Sequence, residues 1–175
     1  MLTLSGNSIN LHPMSVKSPL LKPAPDSTHS AVSIAGHPIH AMMVSFPVAF
    51  VMGGLACDLA YWWTADAFWA RMALWITGAA FVMGTLAGLA GTMDFMIVHK
   101  IRRHVASWSH FIAAVMLISL AAANWWQRVP DPEAVVLPWG LFLSVVNALS
   151  LAATGWYGGK LVFHHNIGTD IEENP

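Results

Sequence analysis

The sequence predicts an all-α fold: an integral membrane four-helix bundle in up-down-up-down order, preceded by a disordered N-terminal head. Three observations predict it. Of 175 residues, 56% are hydrophobic and only 10% charged, against roughly a quarter charged in an ordinary soluble domain. Four apolar stretches each exceed the roughly 20 residues that cross a bilayer as a helix, and helices are forced there because every backbone polar group must be paired without water. The links between stretches are short and polar, which sets successive helices antiparallel. The formal net charge of −1 offers no basic surface for nucleic acid. The single cysteine, Cys57, excludes an intrachain disulfide or a thiolate cluster.

The elements follow in order. Residues 1–34 form the head, where Pro13, Pro19, Pro23 and Pro25 block regular structure. It lacks the apolar core of a secretory signal peptide, and Met14 is an alternative start to Met1. Residues 35–168 form the transmembrane domain, with spans at 39–63, 68–98, 105–126 and 135–163. A short acidic tail occupies 169–175. Pro47 bends the first span, which membrane helices tolerate when a neighbour supplies partners. Gly84 and Gly88 in the second span have a spacing that lets helix backbones approach closely, and Gly155, Gly158 and Gly159 recur in the fourth.

The loops assign the ends. Trp62–Trp63 and Trp125–Trp126 form an interfacial belt on one side, where Asp66, Asp131 and Glu133 accompany Arg71 and Arg128. Lys17, Lys22, Lys100, Arg102, Arg103 and Lys160 gather on the other, which the positive-inside rule makes cytoplasmic. Both termini then lie on the cytoplasmic side of a bacterial inner (plasma) membrane. Asp58 reads as a carboxylate near the outer interface, paired with Arg71.

That topology gathers the histidines. His37 and His40 open the first span, His99 and His104 flank the second loop, His110 lies early in the third span, and His164 and His165 close the fourth. At about 1.5 Å per residue, His110 lies roughly 9 Å below His104, Asp94 roughly 7 Å below His99, and His40 one turn inside His37. His40, Asp94 and His110 thus share a level, with His37 and His165 shallower. Ionisable groups inside a span point to function. Asp94 is read as accepting a histidine N–H and orienting a ligand. His12, His29 and His164 carry no such reading.

Three functions fit this layer. His40 and His110 as axial ligands of a b-type haem, with His37 and His165 as a second pair, make an electron-transfer subunit. His37, His40, His110, His165 and Asp94 holding first-row transition-metal ions directly make a metal-binding protein, in which His37 and His40 chelate at i, i+3 from one helix face. Histidines that only stabilise helix ends make a cofactor-free scaffold or accessory subunit of a larger complex. The partners are the lipid bilayer and a redox protein or membrane complex, and an electron carrier or accessory subunit fits better than an enzyme.

GHPIHAMMVSFPVAF, TADAFWARMALW, Asp94, SHFIAAVML and GWYGGKLVFHHNIGT together resemble the domain of unknown function 2231 family of predicted bacterial membrane proteins, over about residues 36–168. The resemblance implies a four-helix membrane domain. His37, His40, Asp94, His110 and His165 fall on the family's pattern, whereas His99, His104 and His164 do not. Ala41 stands where the family usually has proline. Some relatives resemble fusions to a Rieske iron–sulfur domain, which implies electron transfer.

Overall fold

The computed structural model describes residues 30–35 and 37–165, with backbone alone at 164 and 165. Most of the predicted head (1–29) and the acidic tail lie outside the described residues. Four helical spans long and apolar enough to cross a membrane cover Ile39–Thr64, Ala67–Ile97, Val105–Trp126 and Pro132–Phe163, so the chain is an all-α membrane protein as expected.

Residues 30–34, assigned to the head by sequence, are built onto the bundle. Strands β1 (Ser33–Ile34) and β2 (His37–Pro38) pair antiparallel, with Ala35 at φ 50° in the turn. Helix α1 (Ile39–Met43) starts behind Pro38, an extended N-cap. It breaks at Val44, and α2 (Ser45–Thr64) continues the span. The break has a local cause: Pro47 lacks the N–H that would bond the carbonyl of Met43, and its ring crowds that carbonyl.

Ala65 ends α2 in the left-handed region at φ 51°. Asp66 caps α3 (Ala67–Ile97), its carboxylate accepting from the Phe68 N–H at 2.9 Å, which satisfies one of the free donors at a helix start. A short turn at Ile101–Arg103 leads to α4 (Val105–Trp126). Asp131 and Pro132 then start α5 (Pro132–Val135), with the Asp131 carboxylate accepting from Glu133 and Ala134. The fourth span was expected to be one helix. Leu137 is instead extended (φ −116°, ψ 129°), and α6 (Leu141–His165) begins after this kink.

Packing inverts the pattern of a soluble protein. On α3 the buried face is Ala70, Ala73, Ala80, Ala87 and Ala90, while Trp75, Val82, Leu89 and Met93 are exposed. With lipid outside, small residues gain by bringing backbones together and large apolar ones lose nothing by facing outward. Gly84 lies between Pro47 and Ile118, and a Cβ on Gly88 would meet Ile118 at 2.9 Å, so this glycine pair serves packing within the chain. Contacts run in reverse order along neighbouring helices: His40 meets Gly91, Pro47 meets Gly84 and Gly54 meets Thr77 between the first span and α3. Trp62, Trp63 and Trp126 are exposed at one end, whereas Trp125 turns inward over Gly78 and stacks on Phe81.

Candidate functional site

The structure brings two of the predicted site residues together. His40, on α1, and His110, on α4, have ring centroids 6.3 Å apart and planes at 82°. Each is held by the same device on a different neighbour. Nδ1 of His40 lies 2.7 Å from the carbonyl of Ala87, and a Cβ on Gly91 would meet that ring at 2.8 Å. Nδ1 of His110 lies 3.0 Å from the carbonyl of Thr154, and a Cβ on Gly158 would meet it at 3.1 Å. In both cases glycine follows the accepting carbonyl by four residues, one helical turn. Only a bare helix surface there lets an imidazole reach the backbone.

A carbonyl can only accept, so Nδ1 carries a proton in both rings, and in the neutral form Nε2 of each keeps its lone pair. That is the state of a ligating histidine whose second nitrogen is tied to a backbone carbonyl.

The other expected members stand differently. His37 is exposed in β2 and its Nδ1 bonds the carbonyl of Ala35 at 2.9 Å. It precedes the helix, so the expected i, i+3 chelate with His40 on one helix face does not form. Asp94 is buried, but its carboxylate accepts from Ser30 Oγ at 2.6 Å and the Val32 N–H at 2.8 Å. Both donors come from the segment before β1, not from the histidines expected to provide them. The His165 side chain lies outside the described residues. Among the described residues no group of three or more His, Cys, Asp or Glu could hold a metal ion.

A second polar centre, at the tryptophan end, escaped the sequence reading. Arg128 and Asp58 are both 0% exposed and form a two-pronged pair, Nη1–Oδ1 2.7 Å and Nη2–Oδ2 2.8 Å. Ser144 donates to Asp58 at 2.6 Å, and the Asn124 amide donates to Ser144 at 3.0 Å. Arg128 also donates to the Asn124 carbonyl groups. The expected Asp58–Arg71 pair is therefore wrong: Arg71 is an exposed side chain 3.8 Å from Glu133. Arg128 was read as a loop charge because it follows a tryptophan pair. It turns back under Gly140, where a Cβ would come within 2.9 Å of its guanidinium.

One signal could have found this pair. Asp58 follows His40 by eighteen residues, and Arg128 follows His110 by the same eighteen. The histidines meet at one end of the bundle and the charges at the other, so the first and third spans share one spacing of polar residues.

A family profile described as predicted membrane protein (DUF2231) matches residues 36–171. The chain belongs to this family. In this DUF2231 protein the matched segment contains both polar centres, with His40, Asp58, Asp94, His110, Arg128 and Thr154 all inside it. No curated protein and no solved structure matches the chain.

Proposed function

We propose that this membrane protein binds b-type haem through His40 and His110 and serves as an electron-transfer subunit, with its histidine end on the cytoplasmic side of a bacterial inner membrane. The observation that carries the reading is the matched pair of imidazoles, each with Nδ1 spent on a backbone carbonyl and their centres 6.3 Å apart. His40 and His110 are the residues that would hold the haem iron, each through the ring nitrogen not bonded to a carbonyl.

The count of donors favours haem over a bare ion. Structural and catalytic ions of the zinc type take three or four protein ligands, and two histidines fall short. A haem would bring most of its iron's ligands with it and would need only His40 and His110 from the protein. Gly91 and Gly158 keep the rings seated against their helices. Ser107 Oγ, buried one turn from His110 with no bonding partner, is a donor that a carboxylate side group would satisfy.

Bound haem would supply a one-electron couple. The protein's part is to fix both rings and surround them with apolar helices, which set the polarity that tunes a potential. Lys100, Arg102, Arg103 and Lys160 near the histidine end support the cytoplasmic orientation. Arg103→Cys in a Cys57→Ala background should resist an impermeant thiol reagent added to intact cells, and rapid labelling would reverse the orientation. Haem extraction and iron analysis of protein purified from haem-replete cells should give about one haem per chain under bis-imidazole ligation. Iron-free, haem-free protein would remove the reading.

A further inference from the structure

Residues 30–35 lie against the histidine end of the bundle, and polar bonds rather than packing hold them there. None of the six is buried, and Ile34 is 67% exposed. Ser30 Oγ and the Val32 N–H donate to the two carboxylate oxygens of Asp94 at 2.6 and 2.8 Å. The Val32 carbonyl accepts from the Ile39 N–H at 3.1 Å, and β1 pairs with β2 over two residues of each strand. Two strands of that length are marginal on their own, and Ala35 turns at φ 50°, a conformation that a β-carbon disfavours. An element with little buried apolar surface and exposed backbone bonds is of the kind that opens locally while the rest of a fold stays intact.

What this segment crosses is the seat of His40. Asp94 follows Gly91 by three residues on α3, about one turn nearer the helix end, and Gly91 is the bare surface on which the His40 ring rests. Ile39, tied to Val32, immediately precedes His40. The segment is thus fastened to α1 on one side of this imidazole and to α3 on the other. We propose that residues 30–35 are a strap over the α1–α3 side of the histidine pair. It is closed while Ser30 and Val32 donate to Asp94 and open when those bonds break, so it controls contact between His40 and the water at that end of the bundle.

The two polar centres differ in the way a permanent tie differs from a latch. Asp58 is gripped by a guanidinium, with both side chains 0% exposed. The described donors to Asp94 are a hydroxyl and a backbone amide, both neutral, and the carboxylate sits three residues from the end of α3. Exchanging such donors for water is close to balanced, so the strap opens without unfolding the helix. On the haem reading, the open strap is the state in which the group loads or leaves. The access claim stands without that reading.

Ser30→Ala with Val32→Pro removes both donors and leaves every residue of the four spans in place. Exchange of the imidazole Cε1 hydrogen in deuterated water, read by mass spectrometry on the full chain in lipid nanodiscs, should be several-fold faster at His40 in this variant than in the parent. His37, exposed in the parent, sets the rate of an open imidazole. Maleimide labelling of Cys57, a buried thiol beside the ion pair, reports loosening of the whole bundle and should keep the parent rate. Equal His40 rates in parent and variant would overturn the proposal. Faster His40 exchange accompanied by faster Cys57 labelling would overturn it too, because the bundle rather than the strap would then have opened. Haem content of the same samples tests the other reading separately.

Discussion

A glycine one turn after an accepting carbonyl lets each imidazole settle on a neighbouring helix, and this makes Gly91 and Gly158 as important as the histidines they face. Gly91→Ala would place a methyl 2.8 Å from Nδ1 of His40. The ring cannot keep its bond to Ala87 and clear that methyl. Gly91→Ala should therefore cost about 1–3 kcal/mol of stability, as overpacking does, and shift or abolish any haem spectrum while both histidines remain. An unchanged spectrum in folded Gly91→Ala protein would show that the notch does not orient the ring. The ion pair at the other end makes a different prediction. Arg128→Met alone leaves a buried carboxylate uncompensated and should cost about 3–5 kcal/mol, whereas Asp58→Leu with Arg128→Met should recover most of it. Thermal unfolding in detergent checks this; a double variant no better than the single would mean the pair does not act as a unit.

At the scale of elements, hydropathy located the spans because it responds to the lipid-facing surface. The third span falls at Val105–Trp126, the bounds expected from sequence. It could not show the kink at Leu137, which depends on Asp131 starting a short helix and on the chain passing Arg128 at Gly140. Depth counting put His40 and His110 on one level, and they meet. The same counting put Asp94 there too, yet depth says nothing about the direction a side chain faces, and Asp94 turns to Ser30 and Val32. Those donors lie in a polar stretch without periodicity. Asp94 thus fastens the N-terminal segment to the end of α3. Asp94→Ala should expose residues 30–35 to a broad-specificity protease several-fold faster than in the parent chain. Equal cleavage rates would show that the segment is held by other contacts.

For the whole molecule, the two hairpins place a histidine from each on one layer and an opposite charge from each on another, eighteen residues further along the chain in both cases. The charged layer ties the tryptophan end together through Asn124 and Ser144, which fixes the hairpins relative to each other. The histidine layer then inherits a set spacing. Small interior residues such as Ala73, Ala80 and Ala87 bring the helices close together. The most direct test of this account is the dithionite-reduced minus oxidised visible spectrum of the purified protein, recorded for the parent chain, His40→Ala and His110→Ala. The account predicts Soret and α-band changes in the parent that are lost in both variants; a parent without these bands, or variants that keep them, would contradict it.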